Sequence, residues 1–140
     1  MLTPHIPEDE EARLSDLRAL QLIDTPPEER FDRITRLAAR VFGVPISYIA
    51  LIESERQWFK STCGLSERST ERSISFCGHT ILQDEPLVVP DTLEDERFFD
   101  SPLVTSTPGV RFYAGFPLKG PRGHNVGTRC LADTKPRDVE

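Results

Sequence analysis

The sequence predicts an α+β domain in which helices cover an antiparallel sheet. Three observations lead there: a capped amphipathic segment over residues 25–43, apolar strand-length segments in two close pairs (46–52 with 56–64, 110–118 with 126–134), and a length of 140 residues. That length suits one domain with a real core. Strands joined by a few residues pair antiparallel, because a parallel neighbour needs a crossover of about a dozen residues or more.

Residues 1–8 read as a flexible tail, and residues 9–137 as the domain. From Asp9 to Ile23, Leu14, Leu17, Leu20 and Leu22 recur as on an amphipathic helix. In "IDTPPEERFDRITRLAARVFG", Thr25 fits the N-cap, Pro26 the first turn and Glu28 a capping box, so a helix is expected over 27–42. Phe31, Ile34, Ala38 and Val41 would share its inward face, and Gly43 ends it. "ISYIALI" is a nearly continuous apolar run of strand length, and "RQWFKSTCG" alternates with Trp58 and Lys60 on one side. "LSERSTER" is a polar loop. In "SISFCGHTI", Ser73 or Ser75 caps a short helix of about two turns. "PLVVPD" is a strand closed by Pro90, and residues 92–109 form loop with a little helix. "VRFYAGFPL" and "VGTRCLADT" pair across the turn "KGPRGHN". Strands are thus expected near 46–52, 57–63, 86–89, 110–118 and 126–132. The loop-rich stretch 65–109 is what a ligand-binding flap looks like.

The formal charge is −6, with acid gathered at Glu8–Glu11 and Glu94–Glu96 and no basic tract, which argues against a nucleic-acid partner. No apolar run is long enough to cross a bilayer, so no membrane partner is expected. Cys63, Cys77 and Cys130 are an odd number at wide spacing, which suits a reducing cytoplasm rather than a disulfide framework.

The stretch from "LIDTPPEERFDRI" to "STCGL", followed by "SFCGHTILQDEPLVVPDTLEDERFFDSPLV", "GVRFYAGFPL" and "VGTRCLADTKPR", resembles the GAF domains of bacterial signalling proteins. The look-alikes precede diguanylate cyclase (GGDEF) or histidine kinase output domains. The resemblance runs over residues 15–137. It implies an antiparallel sheet of about six strands with helices on both faces and a small-molecule pocket roofed by the middle loops. It also implies a non-enzymatic sensor that signals to an output domain, a homodimer formed through terminal helices, and a C-terminal linker helix beyond this sequence. No cofactor is implied, since Gly78 separates Cys77 from His79 where bilin-binding relatives carry adjacent Cys-His. Two alternatives accompany this reading: a thiol-based reductase like the free methionine sulfoxide reductases, and a ligand-free dimerisation spacer.

Cys77-x-His79 lacks further ligands at zinc spacing, and residues two apart on a helix point to nearly opposite sides, so no metal is expected. Cys77 near a helix start could be reactive, but no cooperating cysteine is recognisable from the sequence. Phe76, Cys77 and His79 can instead wall a ligand pocket, or be ordinary core and surface. In "VRFYAGFPL", Phe112, Ala114 and Phe116 alternate onto one face. Arg111 and Tyr113 on the other could meet a carboxylate, phosphate or carbonyl, or Arg111 could pair with Glu94–Glu96. Trp58, Phe98 and Phe99 are candidate aromatic walls, and Asp91 is a turn cap or a ligand contact. The leucines of the first helix cover the sheet or pair with a second copy.

Overall fold

A computed structural model describes residues 2–106 and 109–137. Its six strands are β1 (Ile46–Ile52), β2 (Arg56–Cys63), β3 (Ser69–Glu71), β4 (Leu87–Val89), β5 (Phe112–Lys119) and β6 (Asn125–Asp133). They form one sheet in the order β3-β2-β1-β6-β5-β4, every neighbouring pair antiparallel. Helices α1 (Glu10–Ala19) and α2 (Glu29–Phe42) cover one face. The other face carries two one-turn helices, α3 (Cys77–Thr80) and α4 (Pro102–Thr105), with the loops around them. The expected α+β architecture is therefore present, with helices on both faces. No helix among the described residues is long and apolar enough to cross a membrane.

β1 sits mid-sheet, so both its faces are covered and its sequence is apolar apart from Ser47. Tyr48, Ala50 and Ile52 enter the loop-side core with Phe59, Phe76, Cys77, Phe98, Tyr113 and Cys130. Leu51 turns the other way and meets Leu17, Trp58 and Val126 beneath α1. The leucines of α1 thus cover the sheet: Leu17 is buried with Leu14 beside it, and Leu20 and Leu22, just past the helix, pack against the same cluster.

Three local expectations are corrected. Helix α2 begins at Glu29 with Glu28 extended before it, not with a Thr25 cap. Pro27 disfavours helical geometry at Pro26, and the Thr25 hydroxyl instead donates to the Leu22 carbonyl and accepts from Lys60 Nζ. Its expected inward stripe is also rotated. Thr35 and Ala39 are buried, while Leu37 and Val41 are 61% and 67% exposed and Ile34 is partly open. The cause lies in β2, where the register slips so that Ile49 faces Ser61 and Ala50 faces Phe59. This bulge sends Lys60 and Ser61 to the same side: Lys60 meets the Pro26 carbonyl ahead of α2, and in α2 the Ser61 hydroxyl donates to Asp32 Oδ1 (2.6 Å) and pairs with Thr35 (2.9 Å). Buried hydroxyls need partners, and these set the helix rotation. The third correction is β3, a short strand inside a segment read as loop. Gly43 closes α2 with φ +64, as expected.

Two polar fastenings hold α1. Burial would raise the Asp16 carboxyl pKa, but N–H groups of Arg122 and His124 from the β5–β6 turn hold it below the ordinary range. At the helix start, Glu10 binds Arg13 (2.8 Å) and Arg72 (2.5 Å), while Arg13 Nη1 donates to the Ile52 carbonyl (2.7 Å). Both guanidinium groups are buried.

Candidate functional site

A cleft of about 420 Å³ opens on the loop side of the sheet. Its floor is sheet: Tyr48 from β1, with Gln57 and Phe59 from β2. Its walls come from Leu65 after β2, Phe76 ahead of α3, and Leu103 in α4. The order of the chain explains the division. Strands with neighbours on both sides make a rigid base, whereas one-turn helices and connecting segments make a roof of low local stability. Tyr48 and Phe59 meet edge to face at 5.2 Å. Phe76 stacks on Tyr113 at 4.9 Å and meets Phe98 edge-on at 4.7 Å.

The polar floor residue is Gln57, which is 3% exposed. Its Nε2 donates to Thr70 Oγ1 at 2.6 Å, and its Oε1 is buried with no hydrogen-bond partner. An unsatisfied buried polar atom is costly unless something fills it.

Behind Phe76 lies a sealed polar knot. Cys77 and Cys130 place their Sγ atoms 3.4 Å apart, and Thr128, Tyr113 and Tyr48 hydroxyls surround them. Tyr113 also shares a 2.7 Å bond with Thr80. Gly115 makes room for that hydroxyl, since a Cβ there would fall 2.1 Å from it. Burial drives the Tyr48, Tyr113 and Cys130 pKa values well up. Burial also opposes ionisation of Cys77, but hydrogen bonds from Cys130, Thr128, Tyr113 and Tyr48 outweigh it and pull that thiol down. A second thiol therefore lies beside Cys77 in space, although the sequence spacing hid it. Both sulfurs are buried.

The sequence-derived residues scatter around this cleft. Among them Phe76 lines it, while Cys77, Phe98 and Tyr113 back it as core. Trp58 is on the opposite face, beneath α1, because its neighbour Phe59 takes the loop side and a strand alternates. His79 points away from Cys77: its Nε2 meets the Leu2 carbonyl at 3.0 Å and its ring stands edge-on to Phe98 at 4.9 Å. Burial lowers its pKa, which favours the neutral ring. That contact and the Leu2 N–H bond to Arg97 hold the N-terminal segment, read from sequence as a flexible tail, against the domain. Phe99 is 49% exposed.

Asp91 caps the 3-10 turn Thr92–Glu94 through the Leu93 N–H (3.1 Å) and also accepts Arg111 at 3.1–3.3 Å. Arg111 precedes β5 and does not line the cleft; its acidic partner is Asp91 rather than Glu94–Glu96. Arg111→Ala is accordingly expected to cost under about 1 kcal/mol, as half-open ion pairs do. Urea titration checks this; a loss of several kcal/mol would mean that the pair holds the turn in place. Tyr48, Gln57, Phe59, Leu65 and Thr70 were not anticipated. The alternation of β2 did contain Gln57 and Phe59 as the face opposite Trp58.

The GAF domain family matches residues 26–140. The chain is 40% identical over 137 residues to a cyclic di-GMP phosphodiesterase of Pseudomonas aeruginosa, a match covering 98% of this chain and 23% of that protein's length. Among solved structures, it is similar to the GAF domain of an Acinetobacter phosphoenolpyruvate-protein phosphotransferase (TM-score 0.64, 17% identity, 92% of this chain and 81% of that one). The free methionine-R-sulfoxide reductase of Neisseria meningitidis has the same fold (TM-score 0.63, 15% identity, 100% and 85%). With the family match spanning most of the sequence and the sheet order in agreement with its fold, the chain belongs to the GAF domain family.

Proposed function

We propose that this domain is a regulatory sensor. It binds a small molecule in the loop-side cleft and passes the change to an attached signalling output module. The observation that carries this is the cleft's construction, a rigid sheet floor under a roof of one-turn helices and loops. A ligand shifts such a roof only as far as it prefers one arrangement over another. The phosphodiesterase relative favours an output enzyme that turns over cyclic di-GMP, rather than a histidine kinase. Mass spectrometry of small molecules released from the purified protein tests the reading, together with thermal shift on adding each one back. Protein that releases nothing and gains no stability from a broad metabolite set is a spacer instead.

The sensor reading carries a homodimer with it. The leucines of α1 are committed to the sheet, so pairing falls to the open stripe Ile34, Leu37 and Val41 on α2. Leu37→Glu should convert dimer to monomer in sedimentation velocity, and a monomeric parent protein removes the dimer from the scheme.

A second reading, thiol redox chemistry, has one observation in its favour, the 3.4 Å approach of Cys77 and Cys130. Turnover of free methionine sulfoxide with a thiol reductant, lost in Cys77→Ser, would establish it.

A further inference from the structure

We propose that the loop-side cleft selects a planar small molecule that is neutral or cationic and donates N–H bonds, and that it rejects anions. This rests on the sensor reading and names the ligand's chemistry. The orphaned Gln57 Oε1 is an acceptor held in place by its own amide's bond to Thr70, so what it lacks is a donor. No lysine, arginine or histidine is among the described residues that line the cleft. Its one carboxylate, Glu67, is exposed on the rim and makes no ion pair with any described residue. An anion entering here would lose hydration without gaining a countercharge. A cation also loses hydration but gains acceptors at floor and rim, and a neutral amide loses less and finds the same acceptors. Tyr48, Phe59, Phe76 and the two leucines, Leu65 and Leu103, give flat apolar walls, which suit an aromatic or heteroaromatic body.

Benzamidine, benzamide and benzoate form a matched series with one ring and nearly one shape. They carry a cationic donor, a neutral donor–acceptor and an anionic acceptor, respectively. Binding of each at millimolar concentration is followed by backbone amide shifts of the intact 140-residue protein. Benzamidine and benzamide should move the amides of Gln57, Leu65 and Thr70, and benzoate should leave them unmoved. Gln57→Leu should weaken the first two by about tenfold, the worth of one good hydrogen bond. Its melting temperature should hold or rise, because the unsatisfied oxygen goes with the side chain.

Benzoate binding as well as benzamide, indifference to Gln57→Leu, or silence from all three probes overturns the proposal. The molecule released from native protein separates this from failure of the sensor reading. An anionic occupant of the cleft refutes the charge preference and leaves the sensor standing, whereas an empty, unresponsive protein removes the sensor.

Discussion

Glu10→Ala should destabilise the domain by about 3–5 kcal/mol, the usual cost of removing one partner from a buried ion cluster. Among the described residues, this carboxylate is the single anion between the buried guanidinium groups of Arg13 and Arg72. Without it two cations remain out of water, and Arg72 Nε already lacks a partner. Chemical denaturation with urea measures the loss. The same site gives a pH signature. Burial would raise the Glu10 pKa, but the hydrogen bonds and charges of Arg13 and Arg72 carry it down to about 2. An unfolded glutamate titrates near about 4.3. Because the folded value is the lower one, Glu10's contribution is complete above that pH and disappears as pH falls towards 2. It amounts to at most about 3 kcal/mol. The stability gap between parent and Glu10→Gln should therefore close between those two values. A gap that stays constant down to pH 2 would mean that the cluster does not hold its charge as the geometry indicates.

Phe98→Ala is the second large effect, also expected at about 3–5 kcal/mol. Phe98 is fully buried and bridges Phe76 in the cleft wall to His79 in α3. Its removal leaves a ring-sized void at the point where these short segments meet the loop-side core. Hydrogen exchange should show faster opening for residues 92–106 and for 76–81, with β1 and β6 changing least. Phe99→Ala, at the half-exposed neighbouring position, should cost under about 1 kcal/mol. Similar losses at the two positions would show that the loop is not organised around Phe98.

How legible each element was follows from how its environment writes itself into sequence. β1 was read over its full observed length because both faces are covered and the apolar run has sharp ends. Gly43 announced the end of α2, but the rotation of that helix depended on hydroxyls from β2 and on a bulge that no local pattern records. Alternation correctly divided Phe112, Ala114 and Phe116 from Tyr113. It also separates Trp58 from Phe59 but does not say which side the loops roof, and Trp58 lies on the side covered by α1. Arg111 fell outside the strand, so its side chain was free to follow Asp91. Alternation placed Gln57 on the face opposite Trp58, but its burial was not legible, because a glutamine in a strand is usually a solvated one. The pairing of Cys77 with Cys130 spans 53 positions and is set by the sheet, not by spacing.

The Glu10 cluster has a mechanical consequence. Glu10 belongs to α1 on one side of the sheet, and Arg72 belongs to the segment on the other side that reaches Phe76 four residues later. Arg72 also grips the Glu53 carbonyl at 3.0 Å, in the β1–β2 turn. The strap from Phe76 to Arg72 is thus buckled around the sheet's edge onto the first helix. Its bends are fixed at Ser75, whose hydroxyl donates to the Arg72 carbonyl and accepts the Gly78 N–H. A wall residue of the cleft and the leading end of a helix on the far face are thereby tied together by four residues of chain and one ion pair, outside the sheet's tightly packed interior.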